Sequence, residues 1–427
     1  MSKKYPIAIL ALLLVLPGLA PANGLNLNGL GSRAQAMGGA FVGIANDFSV
    51  VFWNPAGAAG FRKETFGVYA MDLIPSATYR FEPEIAIPEV SGIDAKTKTS
   101  HYLGGLAAYY KPVGSRVVVG LGLGTPSGLG AKWDGRDFVM TIGGTAYEWS
   151  STVGLISISP LVAVKLSEVL SAGATFNLNY GMFGLKMPGG YADLGEGTAD
   201  LGQYEENMTG WGIGATFGAL VTPSEKLGIG LTVRTPSTVS FNGSASLSYL
   251  SLYDLPGTTD LKRKITWPLW IAAGVSFRPV ARLLLSADVH WTQWSKLDRL
   301  TAEYLDPVWA AFMASSGRDV RVLQWKDATQ IRFGAEYSLN PSTALRAGYY
   351  HDPAPAPDST LNVLLPSHTF NAFSVGLGRT IGDLQLDFGL EYLAGKERTA
   401  EYPIAYAMPG TYGMKIIVPS VSFSYKF

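Results

Sequence analysis

The chain has 427 residues, with 33 Lys and Arg balanced by 33 Asp and Glu; 15% of it is charged and 12% aromatic. Balanced charge gives no pull toward nucleic acid, and so few charges fall short of an ordinary water-facing surface. There is no cysteine, which excludes a disulfide scaffold and thiol chemistry and suits a chain that crosses an oxidising compartment unfolded.

At the N-terminus, Lys3 and Lys4 precede the apolar run Ile7 to Leu16, and Ala20-Pro21-Ala22 puts small residues at the two cleavage positions. This predicts a secretory signal peptide over 1–22, cut after Ala22. A lone membrane anchor is the competing reading, but the run is short for a bilayer, and no later stretch offers about 20 uninterrupted apolar residues.

Residues 23–63 do not read as strands. A polar lead, Asn23 to Gly31, is followed by small residues interrupted by Gly38-Gly39, Gly43, Gly57 and Gly60. Ala34 to Met37 suits a short helical turn. Asn54-Pro55-Ala56 suits another start, with Asn54 as cap and Pro55 at the first helical position. So many small residues allow backbone to pack on backbone, which predicts a compact plug rather than an independent domain.

From Glu64 to Phe427 the chain alternates apolar and polar residues. In 281–292, Leu283, Leu285, Ala287, Val289 and Trp291 share one face; Arg282, Ser286, Asp288 and His290 share the other, with Leu284 the exception. A period of two marks strands between two environments. Fourteen spans carry it: 64–81, 98–111, 115–124, 147–165, 168–180, 208–222, 225–242, 258–278, 281–297, 325–339, 342–351, 368–380, 383–394 and 411–427.

The connections between them alternate strictly. Short turns fall near Pro112-Val113-Gly114, Leu166-Ser167, Pro223-Ser224, Pro279-Val280, Asn340-Pro341 and Gly382. Longer loops fall near 82–97, 125–146, 181–207, 243–257, 298–324, 352–367 and 395–410. A soluble sandwich gives no reason for two unlike ends. A transmembrane barrel does, with tight periplasmic turns and long outer loops. It also pairs every backbone group in hydrocarbon and leaves no edge. The expected architecture is therefore all-β: a 14-stranded antiparallel transmembrane β-barrel over 64–427, plugged by 23–63.

On the inward faces stand Asp288, Arg332, Glu336, Arg346, Asp387 and Glu391. Buried charges are paired or hydrated, so this mixed set predicts a lattice that holds the plug. Outer segments are unusually apolar: Met182, Phe183, Leu185, Met187 and Tyr191 in one, Tyr304, Leu305, Val308, Trp309, Phe312 and Met313 in another, and 361–366 in a third. They fit a binding groove or loop-on-loop packing. Aromatics near strand ends fit membrane girdles.

Glycines from Gly120 to Gly130 lack a GK[ST] ending and a following helix, so they read as a bend in the wall rather than a phosphate loop. The four histidines, His101, His290, His351 and His368, have no metal-ligand spacing, and there is no GxSxG elbow. The nearby Ser286 and His290 are the only hint of hydrolase chemistry. No enzyme activity, metal or cofactor is expected.

Taken together, LNGLGSRAQAMGGAFVGIANDFSVVFWNPAGAAGF with Asn54-Pro55-Ala56, TPSGLG at 125–130, WSKL at 294–297, residues 325–358 and the terminal strand resemble the outer-membrane long-chain fatty acid transporter family, which includes channels for toluene and related aromatics. The likeness spans the whole mature chain. It implies a hatch-closed barrel in a Gram-negative outer membrane that passively takes up hydrophobic compounds, long-chain fatty acids first and aromatic hydrocarbons as the alternative. It further implies capture in an outer groove (Phe183, Leu185, Met187, Tyr304, Leu305, Trp309, Phe312), an internal pocket, and a lateral opening at a kink in the third strand (Gly122, Gly124, Pro126, Gly128). Release would involve 23–28 of the hatch. A fatty carboxylate needs a basic partner; Lys326 is the first candidate, then Arg332 and Arg346, although Lys326 also has Asp327 beside it. A general porin and a structural or adhesin barrel are the remaining alternatives. Expected partners are the hydrophobic solute, outer-membrane lipids and the assembly machinery that reads the strand ending in Phe427. The barrel is expected to act as a monomer.

Overall fold

The computed structural model describes residues 24–84, 91–141, 144–193, 197–401 and 407–427. The signal peptide expected over 1–22 lies outside the described residues. From Thr65 onward the chain builds one closed antiparallel wall. Its staves are β1 (Thr65–Phe81), β2 (Tyr102–Val113), β3 (Val117–Trp133), β4 (Trp149–Lys165), β5 (Leu170–Pro188) and β6 (Gln203–Ser224). Four more are each split in two: β7 (Leu227–Arg234, Ser237–Leu247), β8 (Thr258–Trp267, Trp270–Val280), β9 (Leu283–Thr292, Arg299–Tyr304) and β10 (Val320–Val322, Ala328–Asn340). The last are β11 (Thr343–Asp352), β12 (Phe370–Ile381), β13 (Leu384–Gly395) and β14 (Gly410–Lys426). Each stave pairs with the next, and β14 returns to β1 from Thr65↔Lys426 to Arg80↔Thr411. The fourteen-stave barrel expected from the alternation is the one observed.

The period of two sorts residues as predicted. On β9, Leu285 is 41% exposed on the outer face, whereas Ser286, Asp288 and His290 are buried inside. Leu284, the exception to the pattern, is also inward and buried. Short turns gather at one end of the barrel, where Gly114 and Gly382 take φ of 66° and 61°, a conformation a side chain disfavours. Longer connections occupy the other end, including a helix over Pro307–Ser315 capped by Asp306, whose carboxylate accepts from the Val308 and Trp309 amides.

Several boundaries differ from expectation, each for a local reason. Strand β3 does not stop at Gly124. It loses register at Thr125-Pro126, because proline has no amide hydrogen, and its ladder with β4 resumes at Ser127↔Leu155. Much of the loop expected over 181–207 is strand, since β5 and β6 pair from Leu170↔Val221 to Pro188↔Gln203. In the opposite sense, β7 and β8 are each broken by a proline, at Thr235-Pro236 and Pro268-Leu269, between the paired levels Arg234↔Trp270 and Ser237↔Trp267. On β9, 293–298 leaves the wall.

Residues 24–63 pack on the inward faces of the wall with little regular structure of their own: helices over Ser32–Ala36 and Val50–Trp53 and a 3-10 helix over Pro55–Gly60. Asn54 does cap that last helix, accepting from the Ala56 amide at 3.1 Å. Its amide group donates to Val42 O at 3.1 Å and to Ala219 O of β6 at 3.0 Å. Wall side chains satisfy much of the remaining hatch backbone. The Val42 amide donates to Asp288 at 2.8 Å, the Gly38 amide to Ser374 at 3.0 Å, and Tyr110 donates to Phe48 O at 2.6 Å. The predicted charge lattice is present. Arg33 meets Glu336 through two bonds of 2.7 and 2.9 Å, and Arg346 joins Glu336 to Asp387 at 2.7 Å each.

Glu336 is shared by two arginines, so removing it takes the ion-pair partner from Arg33 and leaves Arg346 with Asp387 alone. The variant Glu336→Ala is expected to lower stability by about 3 kcal/mol and to free the hatch before the wall. Urea unfolding in micelles, read by proteolysis of the hatch and by strand circular dichroism, checks both expectations.

Candidate ligand path beside strand three

Beyond the kink in β3 the ladder with β4 resumes and the ladder with β2 does not. The ladder between β2 and β3 ends at Leu106↔Gly124, although β2 runs on to Tyr102 and β3 to Trp133. At the edge of this gap the Thr125 hydroxyl substitutes for backbone pairing: it accepts from the Gly105 amide at 2.8 Å and donates to Gly105 O at 3.3 Å. A gap in a membrane wall is costly unless its backbone groups find other partners.

The hatch lead supplies the rest. The Leu27 amide donates to Pro126 O at 3.0 Å, the Ser127 hydroxyl donates to Leu25 O, and Asn26 bridges Ser127 in antiparallel fashion. Trp267 on β8 donates its indole N–H to Ser127 Oγ at 3.1 Å. The lead peptide thus lies along β3 at the kink as a short extra strand.

Two cavities flank this peptide, and Asn26 borders both. The first, about 70 Å³, lies at the kink. It is bounded by Leu30, Val51 and Phe52 of the hatch, by Leu106, Gly122, Gly124 and Pro126, and by a strip of neutral polar residues on β4 to β7. That strip is internally bonded: Ser159 donates to Asn177 at 2.9 Å, Asn177 to Thr216 at 3.0 Å and Asn179 to Ser237 at 2.8 Å. The second cavity, about 80 Å³, lies between the lead and β1, β13 and β14. It is lined by Met71, Leu73, Leu129, Phe370, Leu393 and Met414, with Asp352, Glu391 and His368 as its ionisable groups. Burial pushes the loop residue His368 down to about 4, so it is neutral at neutral pH.

Of the predicted opening residues, Gly122, Gly124 and Pro126 border the first cavity and Gly128 the second. The predicted basic residues border neither. Lys326 is exposed, its backbone amide bonded to Pro355 O, and Asp327 accepts from the Ser295 amide instead. Arg332 is buried and holds the hatch, donating to Asn28 O at 2.9 Å and Gly38 O at 3.1 Å. Arg346 is occupied by Glu336 and Asp387.

The outer-groove candidates border neither cavity. Phe183 and Leu185 are buried on the upper part of β5, and Arg263 lies over the Phe183 ring at 4.8 Å. Tyr304 stacks on Trp309, with centroids 5.8 Å apart, and meets Tyr204 hydroxyl to hydroxyl at 2.8 Å. These side chains enclose the Glu206–Arg263 ion pair, and Met187 lies against Arg321. Phe312 is half-buried, and Leu305 is exposed beside Val308.

Two features of the first cavity escaped the sequence reading: the Ser127–Trp267 contact and Arg234. Arg234 borders the first cavity just before the Thr235-Pro236 break. Its place on an inward position next to a proline was the available signal.

A closed barrel filled by its N-terminal segment, with a wall gap beside two internal cavities, is a transport barrel of the Gram-negative outer membrane. The comparisons agree. The profile of a family described as "Outer membrane protein transport protein (OMPP1/FadL/TodX)" matches residues 13–427. A 47 kDa outer membrane protein of Pasteurella multocida is 23% identical over 398 residues, covering 86% of each chain. Outer membrane protein P1 of Haemophilus influenzae is 23% identical over 403 residues, covering 85% of this chain and 84% of its own. Among solved structures, a Pseudomonas aeruginosa FadL homologue superposes with a TM-score of 0.76 at 16% identity over 95% of this chain and all of the other. The P. putida toluene transporter TodX superposes with 0.73 at 16% identity over 94% and 99%. The chain belongs to the FadL/TodX family of outer-membrane transport proteins.

Ser127 both donates to Leu25 O and accepts from Trp267. Its replacement, Ser127→Ala, is expected to loosen the lead peptide by about 1–2 kcal/mol. That corresponds to roughly five- to thirtyfold faster amide exchange at Leu27, measurable by hydrogen–deuterium exchange of the hatch peptide.

Proposed function

We propose that this barrel passively takes up hydrophobic compounds, long-chain fatty acids first among them, and delivers them sideways through the gap between β2 and β3. The observation that carries this reading is the seating of the lead peptide in the gap. The Leu27 amide and the Leu25 carbonyl close backbone and side-chain partners of β3 that the wall leaves open. A ligand that displaces this segment takes over the apolar burial of Leu25 and Leu27.

An apolar solute has no reason to follow a watery lumen, because its surface prefers an apolar lining and then lipid. The polar, ion-paired hatch blocks that lumen in any case. Aromatic hydrocarbons are the second reading: the second cavity has Met71, Leu73, Leu129, Phe370, Leu393 and Met414 in its lining and no lysine or arginine, and TodX, which shares the fold, is a toluene transporter.

The chain's lack of cysteine makes a clean test available. Asn26 and Ser127 are bridge partners, and residues so placed are close enough for a disulfide. In cells lacking other hydrophobic-solute transporters, the double variant Asn26→Cys, Ser127→Cys is expected to lose most uptake of labelled oleate when oxidised and to regain it on reduction. Labelled toluene run in parallel assigns the substrate branch. Equal uptake in the oxidised and reduced states would sink the gating reading; no protein-dependent uptake of either solute would sink the transport reading for both.

A further inference from the structure

We propose that the outward face of the split staves β7 and β8 is a docking surface for lipopolysaccharide, the phosphorylated glycolipid of the outer leaflet. Lys262 and Lys264 are its phosphate ligands. The surface lies on the outside of the wall, and its role is independent of which solute the interior carries.

The outer side of the wall changes character at Pro236 and Pro268. Below these prolines the outward residues are apolar, with Ile229 and Leu231 exposed on β7 and Phe277 on β8, as a lipid-facing belt requires. Above them β7 turns Thr238, Ser240 and Asn242 outward, and β8 turns Thr266, Lys264 and Lys262 outward. The alternating residues Leu261, Arg263 and Ile265 are buried inside. This half of both staves leads to the long connections, at the outer end of the barrel. Ladder register puts Ser240 between Trp211 of β6 and Lys264. Trp211 is exposed and packs on Tyr180 with ring centroids 4.9 Å apart, a pairing suited to the membrane interface. The lysines therefore begin where the belt ends, at the level of lipid headgroups.

Two residues apart on one face, the ammonium stems rise about 7 Å from each other. Glu303 of β9 stands across from Lys262, and Asp260 follows along β8. Among the described residues neither lysine forms an ion pair even so. Arg299, outward at the start of the upper half of β9, is held by Asp298 at 2.9 Å, so the two lysines are the cations on offer. The ladder between β8 and β9 lapses between Arg263↔Ala302 and Trp270↔Thr292. Lys264 and Thr266 thus stand at an edge of the wall. The Thr238 and Thr266 hydroxyls meet at 2.8 Å across β7 and β8. Ammonium groups near a membrane surface attract lipid phosphates, hydroxyl and amide side chains suit sugar hydroxyls, and the belt below suits acyl chains. A phosphorylated sugar carrying acyl chains uses all three, whereas a glycerophospholipid leaves much of the hydroxyl row without a partner.

The test measures, by native mass spectrometry of the purified barrel in micelles, binding of bisphosphorylated lipid A, its dephosphorylated form and phosphatidylglycerol. The wild type is expected to hold the bisphosphorylated form about tenfold more tightly than the dephosphorylated one. The double variant Lys262→Gln, Lys264→Gln is expected to lose that preference, and Lys226→Gln, at the short-turn end, to keep it. Glu303→Gln removes the acid across from Lys262 and is expected to tighten binding, an effect that a damaged barrel does not produce. A preference that survives the double variant, or a wild type that binds both forms of lipid A alike, would overturn the proposal. Phosphatidylglycerol bound as tightly as lipid A through the same two lysines would overturn the glycolipid assignment and give the face to phospholipid.

Discussion

A chain segment buried inside a barrel with little secondary structure of its own must have its backbone groups paired by something else. In this protein the wall does it. Asp288, Ser374, Tyr110, Arg332 and Thr232 each bond a hatch amide or carbonyl. That requirement explains why the inward face of the barrel is polar and ion-paired although the molecule handles apolar cargo. It also explains the glycines where hatch and wall touch: a side chain on Gly348 would strike the backbone of Gly38, and one on Gly230 the carbonyl of Val42.

The same accounting governs the gap at β3, with the opposite balance. There the wall is short of partners and the hatch lead supplies them. The body of the hatch is fixed by charge pairs such as Arg33–Glu336 and by Asn54. The lead is held by the bonds of Leu25, Asn26 and Leu27 to β3 and of Asn28 to Arg332. Body and lead are thus tied to different parts of the wall, the body by charge pairs and the lead by β3.

Much of this was legible in the sequence. Alternation located the staves and their inner faces, Asn54-Pro55 located a cap, and the glycines around Gly124 located the bend. What alternation cannot reveal is the partner across the lumen. The resemblance puts forward Lys326, then Arg332 and Arg346, for a fatty carboxylate; in the structure Arg332 bonds Asn28 and Gly38, and Arg346 bonds Glu336 and Asp387. The sequence reading leaves out Arg234, which borders the first cavity. Loops were misjudged where the pattern was weak: Phe183 and Leu185 continue β5, because β6 extends alongside it. Pro236 and Pro268 split two staves at one level, a coincidence that emerges only once those staves are neighbours.

The account's central claim is that cargo leaves through the wall and not through the lumen. Gly124 stands at the last rung between β2 and β3 and borders the first cavity, where a side chain would meet Leu106, Leu30 and the Gly105 carbonyl. The most direct measurement is the rate of labelled oleate uptake by cells carrying Gly124→Trp, at equal surface abundance and with hatch protease resistance unchanged. Exit through the wall entails a loss of at least tenfold. Uptake at the wild-type rate, with the bulky ring in place, would mean that the cargo takes another route.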